Sequence, residues 1–152
     1  MRRTLVWRRL DEPGMEVAHV RSFTEATGVQ IGRGYELRWR LEGDGLGLEL
    51  DGDRRERISL GDADFFDVFA SPFFNSLPVM RDGLLEGGTE RDYEMRFVHV
   101  PTLTVERSAQ RYEPLGDRVV RYTSGDFQSY ITVDEDGFVT HYAGFLERVP
   151  DA

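Results

Sequence analysis

The 152-residue chain contains no cysteine, which excludes disulfides, thiolate zinc sites, iron–sulfur clusters and a thiol nucleophile. Lysine is absent too, so all nineteen basic residues are arginine. Against them stand 28 aspartates and glutamates, for a formal charge of −9. A field of that sign repels phosphate backbones, so no nucleic-acid partner is expected, and adsorption to anionic lipid surfaces is disfavoured. No apolar run approaches the length of a bilayer span, so the chain is not expected to cross a membrane. The segment from Met1 to Leu10 lacks both a continuous apolar stretch and a small-residue cleavage site. A cytoplasmic location is therefore the expectation. Sustained helical periodicity with caps is also missing.

What the chain has instead is period-two alternation. Tyr35, Leu37, Trp39 and Leu41 alternate with Glu36, Arg38, Arg40 and Glu42, the pattern of a half-buried strand. Leu46, Leu48 and Leu50 repeat it beyond a Gly43-Asp44-Gly45 turn, and together the two runs predict a hairpin. Tyr93, Met95, Phe97 and His99 alternate again, and Met15, Val17, His19 and Phe23 do so more weakly. In the last third, Arg118 to Thr123, Phe127 to Val133, Phe138 to Tyr142 and Phe145 to Val149 are divided by glycine- and aspartate-bearing turns. Such punctuation predicts an antiparallel meander of about ten to twelve strands. Helical signal is thin: Asp62 to Phe69 has room for a turn or two, and Leu84 to Arg91 is broken by Gly87-Gly88. With no repeat and no linker, residues 1–152 read as one all-β domain. So many strands in so short a chain call for a strongly curved antiparallel sheet forming an open or incomplete β-barrel. A concave face not filled by its own side chains would be a cavity for an apolar ligand.

The usual chemical motifs fail on inspection. His19, His99 and His141 have no metal-ligand spacing, so neither a metal nor another cofactor is expected. Gly43 to Gly47 lies between strands, without the helix that a dinucleotide loop requires. Asp134-Glu135-Asp136-Gly137 resembles the start of a calcium loop, but Phe145 stands where a bidentate glutamate belongs. No nucleophile elbow is present. The segment Asp64 to Arg81 differs in kind, with aromatics clustered between Pro72 and Pro78. Proline cannot donate to a sheet ladder, so Ser71 to Val79 reads as a fixed crossover or edge, ordered and buried beside the concave face.

These blocks together resemble a family of bacterial proteins named Putative glycolipid-binding. The resemblance rests on Trp7-Arg8-Arg9-Leu10-Asp11 with Pro13-Gly14, and on Asp67-Val68 with Ser71-Pro72-Phe73-Phe74-Asn75-Ser76-Leu77-Pro78-Val79. It continues through Pro101, Leu103, Val105 and Gln110-Arg111-Tyr112. It ends on Val133-Asp134-Glu135-Asp136-Gly137-Phe138-Val139, Tyr142 and Gly144. Between Trp39 and Asp64 the chain departs from the family pattern, with a shorter hairpin region. The resemblance implies an incomplete barrel similar to that of bacterial lipoprotein carriers, and a glycolipid as ligand.

The leading expectation is thus a protein that binds a glycolipid or other amphiphilic small molecule. Trp39, Phe97, Tyr112, Phe127 and Ile131 are the expected apolar lining, with Asn75, Arg81 and Arg111 near the mouth to meet a sugar or phosphate head. The alternative is a hydrolase or isomerase using acid–base residues such as Asp67, His99 or His141 beside Tyr112. A structural domain whose concave face is simply core is the third reading.

Overall fold

Alternation makes each strand two-faced, and turns rich in glycine and aspartate let each strand pair back on the one before it. A computed structural model of the chain describes residues 2–150. A first meander runs through β1 (Arg3–Arg9), β2 (Met15–Ser22), β3 (Glu25–Gly32), β4 (Tyr35–Glu42), β5 (Gly45–Leu50) and β6 (Arg54–Ser59). A short strand β7 (Phe65–Val68) and a helix α1 (Pro72–Arg81) follow. The second meander comprises β8 (Arg91–Val98), β9 (Val105–Gly116), β10 (Val119–Ser124), β11 (Phe127–Val133), β12 (Val139–Tyr142) and β13 (Leu146–Arg148).

The meanders join where β1 pairs antiparallel with β13, with Trp7 opposite Arg148. The result is one thirteen-stranded sheet with β6 and β7 at its edges. The fold is all-β, a large curved sheet that is not closed into a barrel. β7 pairs parallel with β8, placing Asp67 beside Phe97. The edges β6 and β7 are linked through residues 60–64, and Arg96 of β8 reaches across to donate to the Ser59 carbonyl at 3.0 Å. Among the described residues, no helix is long and apolar enough to cross a membrane.

Helix α1 lies inside the curve, and every residue from Pro72 to Val79 is buried. The stretch from Ser71 to Val79, read as a fixed crossover or edge, is a helical crossover between β7 and β8. A helix buried all round carries no polar face, so its sequence shows no amphipathic stripe. Its prolines mislead as well: Pro72 opens the helix, where a missing N–H costs nothing, and Pro78 sits in a turn encased by the sheet. Asp62 to Phe69, read as one or two helical turns, instead contains β7, whose four residues pair with Met95 to Val98 and are buried. In β2 the buried positions are Glu16, Ala18 and Val20, the parity opposite to Met15, Val17 and His19.

Trp39 explains that reversal. Its ring stacks on Phe73 at 5.2 Å and meets Phe74 edge-on at 4.8 Å. It also lies across Gly28, where an added Cβ would fall 2.1 Å from the indole. Gly28 pairs with Ala18 in turn, so small inward residues in β2 and β3 make room for the indole.

Glu16, also inward, fastens the helix. Its carboxyl accepts from the Ser71 hydroxyl at 2.7 Å and from the Trp39 indole N–H at 3.2 Å. A strand carboxyl thus holds the N-cap residue of α1. At the other end of the contact, the Ser76 hydroxyl accepts from the Val139 N–H at 3.0 Å and donates to the Pro72 carbonyl at 2.9 Å.

Burial pushes the Glu16 carboxyl up from 4.5 to about 8, against the donors that favour its anion. Between those values the folded chain keeps a proton that the unfolded chain has released, so stability falls as pH rises through that window. We expect wild-type unfolding free energy to decline between about pH 6 and pH 8, by at most about 1.4 kcal/mol per pH unit. Urea unfolding of Glu16→Gln should show that slope abolished; an unchanged slope would contradict the assignment.

Candidate functional site

Helix α1 fills much of the concave face but leaves a cavity of about 400 Å³ at one end of the sheet. The ends of β7, β8, β10 and β12, with the turns that follow, surround it. Its walls include six aromatic rings, those of Phe69, Phe97, Tyr122, Phe127, Tyr142 and Phe145. Five of them are contiguous: Tyr122 lies 6.0 Å from Phe127 and 6.2 Å from Tyr142, and Phe145 lies 5.2 Å from Tyr142 and 5.7 Å from Phe69. Phe127 is 53% exposed and Phe69 36% exposed. Two large rings left open to water at the rim of an apolar hollow mark a surface shaped for contact rather than for packing.

One carboxyl belongs to this hollow. Asp67 shares the concave side of the sheet with Phe97, its register partner, and it is buried. Its Oδ2 accepts from the Gln110 amide at 2.8 Å. Loss of solvating water pushes Asp67 up from 3.8 to about 6, with the Gln110 amide and the Val68 N–H opposing. The negative field of Asp67 helps hold the phenols of Tyr112, Tyr122 and Tyr142 above their ordinary range, an effect that burial dominates. Asn75 lines the cavity from the helix and donates to the Tyr112 hydroxyl at 3.4 Å. The other amide atom of Gln110, Oε1, is buried without a partner. At the rim the Arg9 guanidinium stacks over Phe145 at 4.5 Å and Phe69 at 5.4 Å while paired with Asp11 and Glu12.

Of the residues expected to form a site, Asn75, Phe97 and Phe127 come together on the cavity wall. Tyr112 stands behind Asn75, fully buried. Trp39 and Ile131 lie in the core. Arg81 sits over the Phe65 ring at 4.2 Å beside Asp82, and Arg111 is exposed, paired with Asp92 and Glu90. Neither arginine is part of the cavity wall. His99 stacks edge-on to Phe97 at 4.8 Å and pairs with Glu106, whereas His141 is exposed. Among the described residues no cluster of three metal-binding side chains forms.

Sequence reasoning missed Tyr122, Tyr142, Phe69 and Phe145 as wall residues. Tyr122 was recoverable, because Val120 and Tyr122 share an inward parity in β10. Phe69 and Phe145 sit in turns, where no period assigns a face.

A family model described as Putative glycolipid-binding matches residues 23–148. The chain is also similar to a crystal structure of a DUF1089 family protein from Pseudomonas aeruginosa. The TM-score is 0.63 at 20% identity, over 94% of this chain and 91% of that one. At that identity the likeness speaks for the fold. No curated protein matches the chain.

The siting of Asp67 carries a stability cost. Its folded-state value exceeds the unfolded one, so its contribution is present below about pH 4 and lost as pH rises towards 6. At neutral pH that loss is complete, and the uncharged isostere escapes it. Asp67→Asn should therefore raise stability at neutral pH by roughly 1–3 kcal/mol in denaturant unfolding. A fall of similar size would mean that the carboxylate is a structural asset.

Proposed function

The chain belongs to the family described as Putative glycolipid-binding, and we propose that it holds an amphiphilic small molecule of that class in the aromatic cavity beside Asp67. One observation carries the reading: an apolar hollow with exposed aromatic rims converges on a single buried carboxyl. Its volume of about 400 Å³ falls in the range of small-molecule sites, roughly 300–1,000 Å³. Space of that order suits a short tail or one end of a longer amphiphile.

Phe69, Phe127 and Phe145 would cover methylenes, each worth about 0.8 kcal/mol when removed from water. Eight methylenes give about 6 kcal/mol gross before the costs of association and ordering. Hydroxyls of the head would donate to Asp67 and exchange hydrogen bonds with Asn75. The division of labour is the ordinary one of such sites: apolar area supplies affinity and a few buried polar groups supply orientation.

Calorimetric titration with octyl glucoside below its micellar concentration tests the reading. Wild type should bind saturably. Phe127→Ala, which removes an exposed rim ring, should weaken binding roughly tenfold, the equivalent of about 1.4 kcal/mol. Arg111→Ala, on a side chain outside the cavity, should bind as wild type does. Absence of saturable binding to wild type would overturn the proposal, and equal losses in both variants would place the ligand elsewhere.

A further inference from the structure

Several carboxylates of this protein are held in place by arginine. Asp134 is held by Arg3 at 3.0 Å and by Arg148 at 2.6 Å. Asp92 is held by Arg111, and Glu113 by Arg121. Two buried carboxyls are held by uncharged donors instead, and they differ in a telling way. Glu16 is held by the Ser71 hydroxyl and the Trp39 indole N–H, and it is not part of the cavity wall. Asp67 has the Gln110 amide and the Val68 N–H, and it stands on the wall of a cavity.

That wall contains no arginine and no histidine. The arginine at the rim, Arg9, is committed to Asp11 and Glu12, and its side chain is only 7% exposed. The cavity thus combines one uncompensated carboxyl with six aromatic rings. Ring faces are negative and attract cations, and aromatic cages are the recurring receptors for ammonium groups. An orphaned buried acceptor, Gln110 Oε1, lies on the very amide that bonds Asp67. The net charge of −9 adds an attractive background for a cation and a repulsive one for an anion.

Resting on the amphiphile-binding reading, we propose that the ligand's polar end is positively charged: an ammonium group, as in a long-chain amine or an amino-sugar lipid, seated in the aromatic cavity against Asp67. Anionic amphiphiles, meaning fatty acids and phosphate- or sulfate-headed lipids, are rejected by the same carboxyl. An ammonium ion supplies the missing countercharge, and a primary one also brings N–H donors to Asp67, Gln110 and Asn75.

Four probes with a common octyl tail separate charge from tail: octyltrimethylammonium, octylammonium, octyl glucoside and octyl sulfate, titrated calorimetrically at physiological salt. At least one ammonium probe should bind about tenfold or more tightly than octyl glucoside, with octyl sulfate weakest. In Asp67→Asn the ratio of ammonium to glucoside affinity should fall close to one. Phe127→Ala should weaken the ammonium and the glucoside probes alike. Glucoside binding equal to or tighter than that of both ammonium probes would overturn this inference and leave the amphiphile reading standing. Failure of all four probes to bind would overturn both. An ammonium preference that survives in Asp67→Asn would reassign it to the general surface charge and overturn the assignment to this site.

Discussion

The structure turns on the bond between the Glu16 carboxyl and the Ser71 hydroxyl, 2.7 Å long and fully buried. It joins the first meander to the start of a helix that belongs to neither meander. The sheet has an unpaired seam, since β6 and β7 are both edges. An open curved sheet must cover its concave face with something or collapse on it. Helix α1 does this, and its attachment is two-sided: Glu16 and Trp39 grip its start from the first meander, and Ser76 receives Val139 from the second. The neighbouring corner is pinned as well, because the Gln30 amide donates to the Phe69 carbonyl at 2.8 Å and accepts from the Tyr35 hydroxyl. Phe69 is a wall residue of the cavity. The tie that replaces barrel closure therefore also positions the rim of the candidate site.

Division of the interior follows from the length of the helix. Ten residues of α1 rise about 15 Å, and its aromatic residues Phe73 and Phe74 face Trp39 of the first meander. The same helix packs on β7 and β12, and beyond it the ends of β7, β8, β10 and β12 leave the hollow, whose rings find one another. That hollow holds a carboxyl that opposes folding at neutral pH, an arrangement that recurs where a site is retained at the expense of stability.

Much of this was legible in the sequence. Strict alternation in β4, β5 and β8 fixed which side chains face inward, and the glycine–aspartate turns marked the hairpins. Two of the failures, the missed helix and the parity of β2, share one cause, the buried helix. Because α1 is enclosed on all sides, it lacks the polar face that announces a helix, and its prolines counsel against one. Because it fills space beneath β2 and β3, those strands carry Glu16, Ala18 and Gly28 inward, which inverts the apparent hydrophobic parity of β2. Trp39 looked like groove lining for the same reason: its inward parity was correct, and only knowledge of the helix shows that Phe73 and Phe74 already occupy the place of a ligand. Phe97 and Phe127 were nameable from strand parity, and Asn75, which α1 itself carries, from its place in the family-like block.

Glu16 and Asp67 show why burial alone does not identify a site. Both carboxyls are enclosed and both are shifted upward. Glu16 accepts from the Ser71 hydroxyl and the Trp39 indole, and the group, protonated through much of the neutral range, serves as one more hydrogen-bonding element of the core. Asp67 has fewer donors, a weaker shift and open volume beside it, so near neutrality it is predominantly an anion facing an unfilled aromatic space. A chain with nineteen arginines has ample means to neutralise one aspartate. None stands on that wall, and this difference is what the proposed recognition role of Asp67 rests on, whereas Glu16 ties the helix to the sheet.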